Sequence, residues 1–204
     1  QCGPGVRGRS PGRCRVCLGA GGVTWGQVSA GSRGGVNGEI GGRARTAMEA
    51  SASVVDGFVA GDAPVYGVNT GFGSRADQAI PPHRTAELQV ALVRSHATGM
   101  GDPIEIEVVR AMLLLRARSL AMAFSGVRPE LDDRQAALLN SGLTPVVYEH
   151  GSLGASGDLA PLSHCALALI GEGEVWARDG ERMPTARALA DAGLQPVVLR
   201  AKEG

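Results

Sequence analysis

The stretch Gly151–His164, GSLGASGDLAPLSH, has the most distinctive residue pattern in the chain. Its centre is Ala155-Ser156-Gly157. Gly157 has no Cβ, so its backbone can fold back sharply onto the residues before it. If its nitrogen attacks the Ala155 carbonyl carbon and two waters depart, taking the Ser156 hydroxyl with them, a five-membered ring with an exocyclic methylidene results. The stretch therefore predicts a self-made electrophile, which no standard side chain supplies.

The same stretch also has a simpler interpretation as the start of a helix. Asp158 suits an N-cap, and Pro161 is tolerated in the first turn. A helix over Leu159–Ile170 would then have an apolar face made of Leu159, Leu162, Leu167 and Ile170. The two interpretations are compatible, because the electrophile would lie at the N-terminus of this helix.

The composition favours packed helices around an aliphatic core. The chain has 204 residues, of which 44% are hydrophobic and only 3% aromatic. Apolar runs are much shorter than a membrane span, and a secretory signal is not visible, so the expected location is the cytoplasm, with no membrane partner. Residues 1–22 are rich in Gly, Arg and Pro, and we expect a disordered tail there. This basic segment lacks interleaved aromatic residues, so no nucleic-acid partner is expected.

The cysteines do not predict a metal site. Cys14 and Cys17 have CxxC spacing, but a zinc site needs a second pair of ligands. A redox site needs a βαβ setting, which the sequence does not suggest. Cys165 falls on the apolar helix after the triad and is expected to be buried.

Upstream of the triad, Val65–Gly73 reads VYGVNTGFG, a short extended segment followed by a glycine-rich loop. Tyr66 is a candidate base, because removal of a weakly acidic Cβ proton needs a stronger base than a carboxylate. A phenolate can serve in a site that excludes water. Taken alone, this tyrosine would be interpreted as a strand residue whose hydroxyl meets solvent.

Apolar spacing predicts the remaining elements. Thr85 is the expected cap of one helix, and Asp102-Pro103 the expected start of another. Helices are predicted over Arg43–Ala60, Thr85–Thr98, Ile104–Ser125, Glu130–Asn140 and Thr185–Ala192. Glu174–Trp176 and Glu181–Met183 are predicted to form a β-hairpin across Asp179-Gly180, and Pro145–Tyr148 to be extended.

The run GASGDLAPLS and the loop YGVNTGFG together resemble the histidine and aromatic amino acid ammonia-lyase family. They match its patterns G-[ASC]-S-G-D-L-x-P-L-[AS] and Y-G-[VI]-[NS]-T-G-F-G at every position. The resemblance implies a mainly α fold, the N-terminal part of the helical L-aspartase-like ammonia-lyase fold, with short strands and a small β-hairpin.

The resemblance also implies the prosthetic group and the residues around it. Ala155-Ser156-Gly157 would cyclise into 4-methylideneimidazole-5-one, with no metal and no diffusible cofactor. Tyr66 would be the catalytic base in a loop that covers the site. Asp158, Gly154 and Leu153 would support the triad loop.

The pair Ser95-His96 bears on the choice of substrate. Histidine lyases resemble this Ser-His pair, whereas tyrosine lyases tend to have His-Leu and phenylalanine lyases Phe-Leu at these positions. The resemblance therefore implies conversion of L-histidine to trans-urocanate and ammonia, with His96, Ser95 and Asn69 binding the substrate. The simpler interpretation of His96 is a favourable interaction with the helix dipole.

The resemblance covers Arg43–Gly204 and ends at less than half the usual length of the family. We divide the chain into a tail (residues 1–22) and an electrophile-bearing lyase region (residues 23–204). The central helical bundle is expected to be missing, so this chain alone is expected to be inactive or nearly so. The full-length form is expected to be a homotetramer. The alternatives are a tyrosine or phenylalanine lyase, an aminomutase, or a catalytically silent helical module.

Overall fold

The structure, a computed structural model, describes residues 14–19, 21–34, 36–61, 63–151 and 159–204. Its α-helices are α1 (Trp25–Ser32), α2 (Gly42–Ala60), α3 (Thr85–His96), α4 (Ile106–Leu120), α5 (Pro129–Ser141), α6 (Leu159–Leu169) and α7 (Thr185–Asp191). The strands are β1 (Cys14–Leu18), β2 (Val36–Ile40), β3 (Met100–Pro103), β4 (Thr144–Pro145), β5 (Tyr148–His150), β6 (Glu174–Trp176) and β7 (Arg182–Pro184). The prediction of a mainly helical fold with short strands is confirmed. Among the helices described, none has the length and apolar character needed to cross a bilayer.

Helix α4 forms the middle of the main hydrophobic core. Leu113, Leu114 and Leu120 on this helix are almost fully buried, and the helix packs against both α1 and α5. Burying a leucine side chain contributes about 1.5–3 kcal/mol. The burial of these leucines therefore holds α1 and α5 against α4.

Short antiparallel sheets complete the fold. β3 pairs with β5, and β4, β6 and β7 form a three-stranded sheet in that order. The predicted hairpin is confirmed, with the second strand one residue later than expected. Gly180 in its turn has φ +86°, a conformation that favours glycine.

Helix α5 is defined at both ends by its sequence. Pro129 occupies the first turn, and Gly142 ends the helix with a left-handed φ of 86°. The residue before the helix, Arg128, holds the buried carboxylate of Glu203 through Nε at 2.8 Å and Nη2 at 2.8 Å. The backbone N–H of Arg200 donates to the same carboxylate at 2.8 Å. These bonds fix residues 200–203 against the start of α5.

Two predicted helix starts and one predicted helix end are wrong. Asp102-Pro103 lies in β3, not at the start of a helix, because this segment pairs with β5 and Ile104 N–H donates to the Val147 carbonyl at 2.9 Å. Helix α4 ends at Leu120 rather than Ser125, and Ala123 has φ +66°, which a helix cannot accommodate. The N-cap of α3 is Arg84, not Thr85.

The segment that begins the Val65–Gly73 loop is a turn rather than a strand. The backbone N–H groups of Val68 and Asn69 both donate to the Val65 carbonyl, at 3.0 and 3.3 Å. Gly67 has φ +71°, which an extended strand does not contain. The glycine therefore turns the chain earlier than the alternation of Val and Tyr suggested.

The N-terminal expectation needs correction. Residues 14–18, which fall in the predicted disordered tail, form β1 and pair in parallel with β2. Val16 and Leu18 are buried, and α1 connects the two strands. A βαβ setting for Cys14 and Cys17 is therefore present after all. Residues 1–13 lie outside the described residues.

Asp132 on α5 is a buried acidic residue whose carboxylate lacks a hydrogen-bond partner among the described residues. Burial raises its pKa to about 8; Asp133 adds to the rise, and Arg116 and Arg45 oppose it. The folded state therefore keeps a proton that the unfolded state, with a pKa near 3.8, releases. The contribution of this group to the free energy of unfolding falls as pH rises from about 4 to about 8.

We expect Asp132→Asn to stabilise the protein at high pH, since the amide has a similar shape and no charge to bury. The gain in free energy of unfolding should be on the order of 1–3 kcal/mol at about pH 8 and close to zero at about pH 4. Urea denaturation across this pH range measures it. The matched control is Asp133→Asn, which removes a half-exposed carboxylate paired with Arg45 and should give no gain at high pH. Parallel pH profiles for wild type and Asp132→Asn would contradict the prediction.

Candidate active site

Gly151 and Leu159 bracket the predicted electrophile. The site residues predicted between them, which lie outside the described residues, are Leu153, Gly154, Ala155, Ser156, Gly157 and Asp158. A Cβ built on Gly151 would come within 2.9 Å of the Ala160 Cβ and 3.5 Å of the Pro161 Cδ. Gly151, which follows β5, therefore packs against the first turn of α6, so the described residues on either side of segment 152–158 are close together.

Tyr66 lies on the outer side of its loop, with 55% of its surface exposed. Its hydroxyl oxygen accepts a hydrogen bond from the Gly73 N–H at 3.1 Å. Its ring meets Phe72 edge-on, with ring centroids 5.9 Å apart. The phenol is therefore oriented by its own loop although it is open to solvent.

Asn69 braces the Tyr66 loop. Its Oδ1 accepts from the Val65 N–H at 2.7 Å. Its Nδ2 donates to the carbonyls of Ala63 at 2.9 Å and Phe58 at 3.3 Å, the latter near the end of α2. The side-chain amide is thus engaged within the loop, and substrate binding by Asn69 stays a prediction.

Ser95 and His96 form the last turn of α3. His96 Nδ1 lies 3.0 Å from the Leu92 carbonyl oxygen, to which the Ser95 hydroxyl also donates at 2.8 Å. A carbonyl can only accept, so Nδ1 carries the hydrogen in this pairing. In the neutral ring, Nε2 is then left as an acceptor.

A cavity of about 450 Å³ joins the separate pieces of the site. Three predicted stretches contribute to its wall, which includes Gly67 and Phe72 of the Tyr66 loop, Leu92 and His96 of α3, and Leu159, Leu162 and Ser163 of α6. Tyr66, Asn69 and Ser95 do not line it, although Tyr66 adjoins Gly67 and Ser95 adjoins His96. Its size falls in the range of small-molecule pockets.

Sequence patterns did not reveal the polar residues at one edge of the cavity. Lys202 lines it, and its Nζ would lie 3.6 Å from a Cβ built on Gly67. Its φ is +69°, a left-handed value that is rare for a residue with a side chain. The fully buried Gln89 accepts a hydrogen bond from the Gly204 N–H at 2.8 Å. The only signal was that Lys202 is the sole lysine in the chain.

The two histidines that flank the triad have different surroundings. His150 is exposed and lies 3.1 Å from the Glu149 carboxylate. His164 on α6 is half-buried, and its Nε2 accepts from the Gly99 N–H at 3.1 Å. Burial lowers the pKa of His164. His164 therefore has a structural role as a hydrogen-bond acceptor. Among the described residues, no cluster of His, Cys, Asp and Glu could hold a metal ion.

Known proteins share the sequence of this chain over most of its length. The family model described as aromatic amino acid lyase matches residues 23–204. The histidine ammonia-lyase of Streptomyces avermitilis is 51% identical over 189 residues, which are 93% of this chain and 37% of that relative. The histidine ammonia-lyase of Bacillus subtilis is 53% identical over 157 residues, or 77% of this chain and 31% of the relative.

Solved structures show the same fold. A tyrosine aminomutase from Streptomyces globisporus matches with a TM-score of 0.86 and 37% identity, over 93% of this chain and 35% of that one. A histidine ammonia-lyase from Trypanosoma cruzi matches with a TM-score of 0.84 and 36% identity, over 93% and 36% of the two chains. The chain thus spans little more than a third of the length of these proteins. With the family model matched over residues 23–204, the chain belongs to the aromatic amino acid lyase family.

Proposed function

We propose that this chain carries the electrophile and the catalytic base of a histidine ammonia-lyase, which eliminates ammonia from L-histidine to give trans-urocanate. The observation that carries the proposal is the cavity, whose wall combines the Tyr66 loop, the His96 end of α3 and the start of α6. Relatives named histidine ammonia-lyase at about half identity support it. We further propose, from the family resemblance, that the active form is a homotetramer.

The residues present fit a 4-methylideneimidazole-5-one formed from Ala155-Ser156-Gly157. The sequence offers a small residue, a leaving hydroxyl and a nitrogen without a neighbouring Cβ, and Gly151, before the segment, packs on Ala160, which follows it. The group would supply an electrophilic carbon that takes up the substrate amine and makes it a better leaving group. Asp158, Gly154 and Leu153 are proposed to support this loop. The proposal needs no metal and no diffusible cofactor.

Tyr66 is proposed to remove the β-proton of the substrate. The Gly73 N–H donates to its oxygen and can keep donating after the phenol has released its proton, so one bond serves both states. Asn69 keeps the loop in this shape through its three hydrogen bonds. The base is therefore held in place before substrate arrives.

His96 is proposed to select the substrate ring. With Nδ1 donating to the Leu92 carbonyl, Nε2 is free to accept from the imidazole N–H of L-histidine. A phenyl ring offers no donor to this acceptor, and a phenol could donate to it only through its hydroxyl, which projects beyond the ring. Ser95 supports the selection, because its hydroxyl shares the Leu92 carbonyl and lies 3.0 Å from His96 Nδ1.

The likeness to tyrosine aminomutase favours a second candidate, a lyase or aminomutase acting on tyrosine or phenylalanine. The pair Ser95-His96 argues against it. Product analysis with each of the three amino acids separates these activities. A catalytically silent helical module is the alternative of another class, and the mass of the chain tests it.

We expect the intact mass of the purified chain to be two waters below the value its sequence gives. Ser156→Ala should abolish the deficit, because the hydroxyl that leaves is gone. Ser163→Ala is the matched control: this serine lines the cavity on α6, and its loss should leave the deficit unchanged. Electrospray mass spectrometry measures all three. An unmodified wild-type mass would support the silent module.

We expect the 204-residue chain to release urocanate far more slowly than a complete relative. A chimera that joins it to the remaining part of the Streptomyces avermitilis relative should restore turnover. In that chimera, Tyr66→Phe should lower kcat about 10²–10⁴-fold, the range for loss of a general base. Tyr148→Phe, a change of the other tyrosine, is the control and should lower kcat much less. Full kcat in the Tyr66→Phe chimera would exclude the proposed base.

A further inference from the structure

His164 connects the two helices that carry the proposed site. It lies in the second turn of α6, and its Nε2 accepts from the backbone N–H of Gly99 at 3.1 Å. Gly99 comes three residues after His96, the last residue of α3. This hydrogen bond thus connects α6 to the bend of the chain at Gly99, called the Gly99 corner below, which follows Ser95-His96.

The corner at Gly99 is tightly enclosed. A Cβ built there would lie 2.9 Å from His164 Nε2 and 3.2 Å from the Tyr148 Cβ. A Cβ built on Gly151 would lie 3.5 Å from the Gly99 Cα. The backbone of the corner therefore lies close against α6 and β5, and a Cβ at position 99 would force the His164 ring to shift.

The His164 ring is also held from its other side. Tyr148 meets it edge-on, with ring centroids 5.2 Å apart. The Tyr148 hydroxyl accepts from Arg182 Nη2 at 2.9 Å, and Arg182 also pairs with Glu174. These contacts fix the orientation in which Nε2 faces the Gly99 N–H.

The bond depends on the protonation state of His164. A neutral imidazole can accept at Nε2, whereas an imidazolium carries hydrogens on both nitrogens and can only donate. Burial lowers the pKa of this histidine below its usual 6.5, so the bond persists at neutral pH and is lost on acidification. The other ionisable groups near the contact are Tyr148, the pairs Arg182–Glu174, Arg94–Glu172 and Glu149–His150, and His96 itself.

We propose that His164 is a positioning residue that sets the placement of His96. While neutral it holds the Gly99 corner against α6, and on protonation it releases the corner and the last turn of α3. The consequence for substrate selection rests on the proposed function, but the coupling between the two histidines does not. It is a property of the folded chain and is measurable without turnover.

NMR of the chain tests the coupling, since only four histidines contribute ring signals. In the wild type, the His96 ring signals should shift at the pH where the His164 signals titrate. In His164→Gln, whose amide oxygen can accept from Gly99 at every pH, this shift should be absent. His150→Gln, a change of an exposed histidine, is the control and should keep the shift. Identical pH curves of the His96 signals in wild type and His164→Gln would overturn the proposal.

Amide hydrogen exchange gives the second measurement. The Gly99 N–H should exchange at least about fivefold faster in His164→Leu than in His164→Gln, because leucine offers no acceptor. Equal exchange in the two variants would overturn the proposal. If His164→Leu does not fold, wild type and His164→Gln are compared instead, at a pH below that at which His164 titrates. The Gly99 N–H should then exchange faster in the wild type. An undiminished intact mass would refute the proposed lyase and leave this result standing.

Discussion

The close approach of α6 to the corner after α3 is the constraint on which the site depends. Gly99 and Gly151 meet there, and a side chain on either would collide with its neighbours at 2.9 Å. Cβ atoms do not tolerate such a separation, so a larger residue would displace the His164 ring at Gly99 or the first turn of α6 at Gly151. Since α3 carries His96 and α6 begins at Leu159, this contact fixes the spacing of two helices that border the cavity.

Helix α5 supports the Tyr66 loop by two routes. Through α2, which is tied to α5 by Arg45 and Asp133, the end of the helix offers the Phe58 carbonyl to Asn69. Through Arg128, the start of α5 holds Glu203 and with it Lys202 beside Gly67. The Tyr66 loop is thus hydrogen-bonded to the end of α2 and lies beside a residue held by α5, while the Gly73 N–H orients the tyrosine itself.

Periodic patterns and local stop signals were enough to predict the helices α2, α3, α5 and α7 and the hairpin. Each is bounded by residues whose backbone preferences act locally, such as Gly142 after α5. Predictions failed where distant pairing decided the outcome. Asp102-Pro103 has the residue types of a helix start, yet it forms a strand because it pairs with β5. β1 was hidden by a composition typical of disorder, and only its parallel partner β2 makes it a strand.

The sequence predicts reactive residues where the chemistry needs them next to one another, but it does not predict support that comes from contacts distant in the chain. Lys202 illustrates the difference. Its left-handed backbone costs about 1–3 kcal/mol, and such strain persists only when the surroundings enforce it. Two hydrogen bonds hold the residues after Lys202. Arg128 donates to Glu203, 75 residues away in sequence, and Gly204 donates to Gln89, 115 residues away. With both following residues fixed, Lys202 has no freedom to relax, and its ammonium group remains at the edge of the cavity.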